Sequence, residues 1–504
     1  MRKIPATMAT QHPDNASAPY WSDSPFVSTL DEVEECFRVF SDLGCDEYMW
    51  DWEGKFVDEA VVDRLFNRYG AYFSKKQLGR DKFLTFRIPN TTQESGFRLA
   101  RSYMTLLTAA HTTLERHVHT PPIFEMILPM TTNASQLLSI HEKYLHALEF
   151  EKAIFGRRAV RTTDLEIIPL IEGSATLLHS RKILREYVAG YERLLKRKPR
   201  YLRPFIARSD PALDAGFLPA VLSARGAISE YYRFEDETGI RVYPIIGVGC
   251  PLFRGGLSPS TLEPFLKNYR GVRTVTIQSA FRYDYPLNEV KRSLKRLQMD
   301  LPKLRPTIFS VDEIREITEL SEYFAAYYRP VVTGLAAQIN DLARFIPSHR
   351  ERIPHTGHFG YSRKMGKKTR LPRAIGFVAT LASLGIPPPV IGTGRGLRDL
   401  LKKGGSQKSL AKYLPTLEED LLKCGAFLNW ENLKFLAKKD AAWKAVQDDV
   451  VFLEKFLGRR LGPVTSEDFI HRNLTSNVYQ LWKQGNPEVK GEIVRAARVR
   501  KSLG

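Results

Sequence analysis

The sequence predicts an α/β fold of the (β/α)8 TIM-type barrel class, with additional helices and a helical C-terminal extension. Three observations support this prediction. Short apolar runs alternate with helical patterns, each run ends in polar or charged residues, and the runs are continuously apolar rather than alternating. Continuous apolar strands are typical of parallel strands buried on both faces. Polar residues after each strand are typical of barrels whose function lies at the C-terminal ends of the strands.

Seven runs are predicted to be barrel strands. They are residues 48–50, 83–86, 123–129, 167–171, 205–207, 242–248 and 275–277. The eighth strand is not assigned, because residues 307–311 and 331–335 compete for it. An open doubly wound sheet is the alternative fold, and it is disfavoured because no Gly-x-Gly-x-x-Gly motif follows the first strand.

Two capping boxes and a change of composition organise the helices. Thr29-x-x-Glu32 and Ser310-x-x-Glu313 each predict a helix start, and residues 96–117 have helical spacing. Residues 392–396 are predicted to be a loop, and the remainder is predicted to be helical. We therefore expect one catalytic domain over residues 1–504, with the barrel core in 1–395 and a helical extension packed on it in 396–504.

Charge and composition limit the functional classes. The 504 residues carry 75 Lys and Arg against 56 Asp and Glu, a formal net charge of +19. This balance suits nucleic acid, an anionic membrane surface or small anions, and the basic residues are spread along the chain instead of forming one tail. No run of about 18 apolar residues is present. We expect a cytoplasmic protein, and the four scattered cysteines are expected to be reduced.

Two acidic residues follow consecutive predicted strands. Glu172 ends the run 167–171, and Asp210 follows the strand-like run 201–207 within Arg208-Ser209-Asp210. In a barrel these carboxylates would lie side by side, where they repel unless a cation or proton intervenes. Oxygen ligands favour Mg²⁺ or Mn²⁺. The simpler interpretation is a helix N-cap for Asp210 and a surface acid for Glu172.

Arginines are predicted at the same rim, and arginine binds phosphate and carboxylate groups through two parallel hydrogen bonds. They are Arg87, Arg208, Arg254, Arg282, Arg363 and Arg373. Gly255 and Gly256 follow Arg254 and would permit close approach of a phosphate. A single rim arginine is usually a surface charge, whereas several at one mouth beside a metal predict a multiply anionic substrate.

The histidines give weaker signals. His12 lies in the polar segment Gln11-His12-Pro13-Asp14-Asn15, which is too early in the chain for a core strand and is most simply solvated. His117 and His119 have the spacing of a zinc pair but no third ligand at a suitable distance along the chain, so a zinc site is not expected.

Several motifs occur in order along the chain. They are Thr10-Gln11-His12-Pro13-Asp14-Asn15, Phe86-Arg87 with Gln93-Glu94-Ser95, Pro169-Leu170-Ile171-Glu172, Ser209-Asp210 with Asp214-Ala215-Gly216, Phe253-Arg254-Gly255-Gly256, and Arg373-Ala374-Ile375. Together they resemble the phosphoenolpyruvate carboxylase family, specifically its short archaeal-type branch. The matching covers nearly the whole chain, and the ordered set is far more specific than any one motif.

The resemblance implies a role for each matching residue. Glu172 and Asp210 would bind Mg²⁺, with Mn²⁺ as an alternative, and Asp214 would support them. Arg87 and Arg373 would bind the phosphate or the carboxyphosphate formed from it. The remaining implied roles are a mobile glycine-rich loop carrying Arg254, substrate binding by Arg363, Arg208, Gly255 and Gly256, and assistance to carboxylation by His12.

Three departures from the longer enzymes concern the phosphate contacts. Leu213 stands where they have a lysine, Val248 or a neighbour stands at their first loop arginine, and the interval from Arg363 to Arg373 is shorter. The basic residues expected to compensate are Lys364, Lys367 or Arg370.

The resemblance implies a carboxy-lyase that converts phosphoenolpyruvate and bicarbonate to oxaloacetate and phosphate through carboxyphosphate and an enolate. It also implies a homotetramer that acts on small molecules. Nucleic-acid and membrane partners are not expected, because the arginines follow strand ends instead of forming one basic stripe and no long apolar run is present. One alternative is another metal-dependent phosphoenolpyruvate or pyruvate barrel, either a lyase or an aldolase. An alternative of another class is a basic nucleic-acid-binding protein.

Overall fold

The computed structural model describes residues 3–92, 96–116, 118, 120–156, 165–351, 363–365, 369–405 and 407–504. Within these ranges, side chains are described except at residues 155, 363–365, 369 and 407–409. The predicted pair His117 and His119 lies outside the described residues.

The described residues form twelve strands. They are β1 (Thr7–Thr10), β2 (Glu47–Asp51), β3 (Phe83–Arg87), β4 (Glu125–Leu128), β5 (Glu166–Ile171), β6 (Tyr201–Leu202), β7 (Phe205–Ala207), β8 (Arg241–Val242), β9 (Ile245–Gly247), β10 (Thr274–Ile277), β11 (Arg363–Met365) and β12 (Thr369–Leu371). Eight of them close a barrel in the order β1-β2-β3-β4-β5-β7-β9-β10. Every neighbouring pair in it is parallel, so the predicted fold class is confirmed.

The described residues also form twenty α-helices. They are α1 (Glu32–Ser41), α2 (Val61–Phe73), α3 (Gly96–Glu115), α4 (Ala134–Phe155), α5 (Ser174–Leu178), α6 (Ser180–Leu195), α7 (Ser209–Ala215), α8 (Phe217–Thr238), α9 (Leu262–Asn268), α10 (Ser279–Tyr283), α11 (Leu287–Asp300), α12 (Val311–Ala343), α13 (Ala374–Ser383), α14 (Thr393–Lys402), α15 (Gln407–Tyr413), α16 (Leu417–Gly425), α17 (Trp430–Ala437), α18 (Ala441–Leu457), α19 (Ser466–Lys483) and α20 (Val489–Val499).

The strand that completes the barrel is β1, at the start of the chain. It pairs with β2 on one side and with β10 on the other. Both sequence candidates for the eighth strand were wrong: residues 311–343 belong to the helix α12, which includes the second candidate, and residues 304–310 lie in no strand. His12 therefore follows a core strand, contrary to the prediction that its segment was too early for one.

Two predicted strands are each divided by a proline. The run 201–207 separates into β6 and β7 around Pro204, and the run 242–248 separates into β8 and β9 around Pro244. Proline lacks the backbone N–H that a continuous ladder requires. The short halves β6 and β8 pair with each other outside the barrel, while β7 and β9 lie within it.

One of the two predicted capping boxes is correct. Ser310 Oγ accepts a hydrogen bond from the Glu313 N–H, and Glu313 accepts one from the Ser310 N–H, so the box begins α12. The Thr29 box is wrong, because α1 begins at Glu32, and Glu32 is buried against Lys55 and Arg350 instead of reaching back to Thr29.

The C-terminal region is helical as predicted, but the predicted loop at 392–396 is not. α14 begins at Thr393, and a Cβ on Gly394 would lie 2.0 Å from the backbone oxygen of Asp449. Glycine therefore permits α14 to approach α18 closely. The division into core and extension stays a prediction.

No single described helix is long and apolar enough to cross a membrane. Two consecutive segments, Ala374–Ser383 and Pro388–Lys402, are together long and apolar enough to do so. This statement rests on their length and composition alone, and the two segments are bent by 94° relative to each other.

A buried ionic cluster closes the N-terminal end of the barrel. Arg203 Nη2 donates to Glu47 at 2.7 Å, and Arg203 Nη1 donates to the same carboxylate at 3.0 Å and to Glu125 Oε2 at 2.5 Å. All three side chains are buried. Because this end of the barrel is filled by paired charges, the opposite end is where a ligand can enter.

Replacing Arg203 with Met is expected to destabilise the fold by about 3–5 kcal/mol, since it leaves Glu47 and Glu125 buried without their cation. The measurement is the urea unfolding midpoint. Arg193→Met, on the exposed face of α6, is the matched control and should leave it unchanged. Equal midpoints for the two variants would contradict the proposed importance of the cluster.

Candidate functional site

A cavity of about 380 Å³ opens at the C-terminal ends of the barrel strands. Its lining includes seven of the ten residues that the sequence predicted for the site. These are His12, Arg87, Glu172, Arg208, Asp210, Arg254 and Arg373. The sequence therefore identified most of one continuous surface from residues far apart in the chain.

The two predicted metal ligands line this cavity together. Glu172 follows β5, and Asp210 lies in the first turn of α7, directly after the neighbouring strand β7. Both are partly exposed to the cavity. Among the described residues no group of three or more His, Cys, Asp or Glu side chains could bind a metal. A pair of carboxylates fits Mg²⁺, which keeps several coordination positions for water and substrate.

Arg87 is fixed by two acidic residues that follow or end β2. Its Nε donates to Asp51 Oδ1 at 2.9 Å and its Nη2 to Asp51 Oδ2 at 2.6 Å. Glu53 Oε2 lies 3.0 Å from the same Nη2. Burial alone would lower the pKa of Arg87, but Asp51 and Glu53 raise it. These contacts use Nε and Nη2, so Nη1 is the nitrogen through which Arg87 can bind an anion.

Arg373 enters the cavity from outside the barrel. It precedes α13, and its backbone oxygen accepts a hydrogen bond from the Phe377 N–H at 2.9 Å. Its Nη2 lies 3.7 Å from Glu53 Oε2, and about a fifth of its side chain is exposed. Arg373 is therefore held more loosely than Arg87.

Arg254 is bound by protein atoms at all three guanidinium nitrogens. Nε donates to Ser209 Oγ at 3.2 Å, Nη1 donates to Asp14 Oδ2 at 3.0 Å and to the backbone oxygen of Gly504, and Nη2 donates to Gln278 Oε1. It thus joins the His12 segment, the Asp210 segment and the end of β10. Contact between Arg254 and a substrate would require some of these bonds to be exchanged, so its predicted catalytic role stays a prediction.

Arg208 lines the cavity, but its guanidinium has other neighbours. Nε donates to the Tyr269 hydroxyl at 2.8 Å, and the guanidinium carbon lies 5.7 Å from the centre of the Phe217 ring. Tyr269 and Phe217 line a second cavity of about 360 Å³ and not the first. Arg208 therefore lies between the two cavities, and its predicted substrate-binding role stays a prediction.

Gly255 and Gly256 also line the second cavity instead of the central one. Both have positive φ angles, 117° and 73°. A Cβ on Gly255 would lie 2.4 Å from Val248 Cγ1, so only glycine fits beside that side chain. Their predicted contact with phosphate remains a prediction.

The remaining predicted basic residues do not line the described part of the cavity. Arg282 is buried away from the cavity, where Nη2 donates to Glu35 at 2.9 Å, so the prediction of a rim position is wrong. The side chains of Arg363 and Lys364 and the whole of Lys367 lie outside the described residues. Arg370 is exposed and does not line the cavity.

His12 lines the cavity, and its surroundings favour the neutral form of its imidazole. Burial is the largest influence and lowers its pKa well below the ordinary value, and Arg87 lowers the pKa further, while the nearby Asp51 opposes them. Its Nδ1 lies 2.9 Å from Thr10 Oγ1. A neutral imidazole with one nitrogen occupied by a hydroxyl can accept or deliver a proton through the other.

Sequence reasoning missed several cavity residues. Lys55 lines the cavity and its Nζ binds Glu32, which also accepts a hydrogen bond from Arg350 Nη1 at 3.0 Å. Burial lowers the pKa of Lys55, although Glu32 opposes that shift. Lys55 and Arg350 are thus cations of the cavity, whereas Leu213, at the position of the absent family lysine, is buried in the apolar core. Neither Lys55 nor Arg350 lies in a strand-end or capping pattern that would have identified it from the sequence.

Asp214 was expected to support the metal ligands but does not line the cavity. Its Oδ2 lies 3.4 Å from Arg329 Nη2, and about half of its side chain is exposed. In this respect the prediction is wrong, because the Asp214 carboxylate pairs with Arg329 outside the cavity.

The fold and the charged residues of the cavity together define a class of protein. A closed parallel barrel, with guanidinium and carboxylate groups gathered at the C-terminal ends of its strands, is the architecture of barrel enzymes and here suits an anionic substrate. Six cationic and five acidic side chains line the described part of the cavity, so a bound divalent cation would leave it with excess positive charge.

Comparison with known proteins gives the family. Residues 4–504 match the family profile described as phosphoenolpyruvate carboxylase. Relatives named phosphoenolpyruvate carboxylase include those of Leuconostoc mesenteroides (38% identity, 100% of this chain and 99% of the relative), Metallosphaera sedula (39%, 100% and 100%) and Pyrococcus horikoshii (37%, 88% and 94%).

The chain belongs to the phosphoenolpyruvate carboxylase family. Its activity is the carboxylation of phosphoenolpyruvate, which makes it a carboxy-lyase with phosphoenolpyruvate and bicarbonate as its small-molecule substrates. The family uses a divalent metal. This assignment favours the carboxylase over the lyase, aldolase and nucleic-acid-binding alternatives.

Proposed function

We propose that the central cavity carries out the carboxylation in two half-reactions, with Glu172 and Asp210 as ligands of Mg²⁺ or Mn²⁺. The observation that supports this proposal is the shared surface formed by these two carboxylates, Arg87, Arg373 and His12. When bound, the metal would supply a Lewis acid that offsets negative charge on the phosphoryl and enol oxygens.

In the first half-reaction an oxygen of bicarbonate forms a bond to phosphorus while the bond from phosphorus to the enol oxygen breaks. The products are carboxyphosphate and the enolate of pyruvate. Arg87 Nη1 and Arg373 would bind the transferring group, because fixed guanidiniums are most effective where charge develops and water is excluded.

In the second half-reaction carboxyphosphate divides into CO2 and phosphate, and C3 of the enolate bonds to CO2 to give oxaloacetate. The hydroxyl proton that came from bicarbonate must leave carboxyphosphate as it divides. Neutral His12 can accept that proton and deliver it to phosphate. Water must stay away from the enolate, since protonation at C3 would give pyruvate instead.

Two further features extend this proposal, and the homotetramer among them rests on the family resemblance. We propose a homotetramer in the cytoplasm, and a single catalytic domain in which the C-terminal helices complete the barrel enzyme. The contact between Arg254 and the Gly504 backbone oxygen supports the second of these, because it joins the last residues to the cavity wall.

Isotope transfer tests the first half-reaction. With bicarbonate labelled by ¹⁸O at all three oxygens, we expect one labelled oxygen in each phosphate and the other two in the new carboxylate of oxaloacetate. We expect EDTA to stop formation of both products until Mg²⁺ or Mn²⁺ is returned. Phosphate without label would contradict attack by bicarbonate on phosphorus. Full turnover in EDTA would contradict the metal proposal.

A further inference from the structure

Glu53 lies between the two arginines of the cavity. Its Oε2 is 3.0 Å from Arg87 Nη2 and 3.7 Å from Arg373 Nη2, so both guanidiniums converge on one oxygen atom. The Glu53 side chain is only 2% exposed. This oxygen accepts no directed hydrogen bond, so its attraction to the arginines is electrostatic.

The two arginines reach this oxygen from different parts of the fold. Arg87 ends β3, and its register partner on β2 is Asp51, which binds it through two hydrogen bonds. Arg373 belongs to the segment before α13, outside the barrel. Among the described residues, Glu53 is the acid whose ion pairs connect the barrel arginine with the arginine from outside it.

The backbone fixes the position of Glu53. Its N–H donates to Asp51 Oδ1 at 3.0 Å, the same oxygen that accepts from Arg87 Nε. Asp51 and Glu53 thus form one unit in which the first carboxylate orients Arg87 and the second extends toward Arg373. Two guanidiniums this close repel each other unless an anion lies between them.

We infer that Glu53 is a positioning residue that sets the distance between Arg87 and Arg373 so that both can bind the transferring phosphoryl group at once. The inference rests on the proposed roles of these arginines. The short contact keeps Arg87 in place, and the longer contact lets Arg373 exchange Glu53 for the substrate. Because Glu53 is itself an anion, it opposes binding of phosphoenolpyruvate while it maintains the geometry for the reaction.

The test is Glu53→Gln, which keeps the size of the side chain and removes its charge. We expect kcat to fall about 10-fold to 100-fold, the range for misplaced catalytic groups, while KM for phosphoenolpyruvate stays equal or decreases. Glu53→Asp retains the charge with a shorter reach and should restore part of kcat. A purely structural role would instead lower the thermal midpoint and leave kcat per folded active site unchanged.

A double variant separates this inference from the proposed roles. If Glu53 acts through Arg373, adding Glu53→Gln to Arg373→Gln should lower kcat by less than about 2-fold further, since coupled residues are not additive. Fully multiplicative effects would overturn the inference, as would an unchanged kcat in Glu53→Gln. Normal kinetics in Arg373→Gln alone would instead overturn the proposed role of that arginine.

Glu34→Gln is the matched control. Glu34 lies on α1, pairs with Arg38 at 3.0 Å and is partly exposed outside the cavity. It loses the same charge beside the same type of partner, and its kinetics should equal those of the wild type.

Discussion

Replacing Asp210 with Asn is expected to lower metal-dependent turnover by about 1,000-fold, equivalent to about 4 kcal/mol of transition-state stabilisation. The substitution keeps the shape of the side chain and removes the charge of one of the two carboxylates proposed to bind the divalent cation. The measurement is kcat across a Mg²⁺ titration, together with Mn²⁺ binding followed by electron paramagnetic resonance. Weaker Mn²⁺ binding should accompany the loss of turnover.

Asp214→Asn provides a control on the same helix. Asp214 pairs with Arg329 outside the cavity, so its replacement should change neither metal binding nor kcat. Unfolding midpoints should be equal for Asp210→Asn and the wild type, since Asp210 is partly exposed. Near-normal activity of Asp210→Asn at saturating Mg²⁺ would contradict the assignment of this residue as a ligand.

Replacing His12 with Asn is expected to uncouple the two products. Phosphate release should continue while oxaloacetate formation falls by about 100-fold or more, the range for loss of a general acid–base group, and pyruvate should account for the difference. The measurement is the ratio of oxaloacetate and pyruvate to phosphate in the same reaction. Equal loss of phosphate and oxaloacetate would contradict a role confined to the second half-reaction.

The pH dependence gives a second readout for His12. Burial and Arg87 lower its pKa below the ordinary value near 6.5, so the imidazole is neutral at pH 7 and becomes protonated only as the pH falls further. The oxaloacetate-to-phosphate ratio should therefore stay constant through pH 6.5 and fall only well below it. His146→Asn, on the exposed face of α4, should keep the wild-type profile.

The sequence predicted the structure best where a local residue pattern determines it. Seven barrel strands were identified because buried parallel strands must be apolar, and Glu172 and Asp210 were paired because consecutive strand ends meet in a barrel. The polar residues after the strands identified the cavity, because burying such residues in an apolar core is unfavourable.

The missed features depend on contacts that no local pattern contains. The sequence of β1 is Thr-Met-Ala-Thr, in which two of the four residues carry hydroxyl groups. It is buried because it pairs with β2, the next barrel strand in the chain, and with β10, the last one. Lys55 is buried because Glu32, on another element, neutralises it. Arg282 was predicted at the rim from its position after a strand, but its side chain is buried where it pairs with Glu35.

The pairing of β1 with β10 also constrains the order of events during synthesis. Thr7 leaves the ribosome before every other barrel strand, yet its neighbour Val275 belongs to the barrel strand that emerges last. Until then β1 and β9 present unpaired edges, and such edges invite association with other chains. Closure of the ring by residues so distant in sequence is slow. The segment that carries His12 therefore acquires its place only when the last barrel strand arrives.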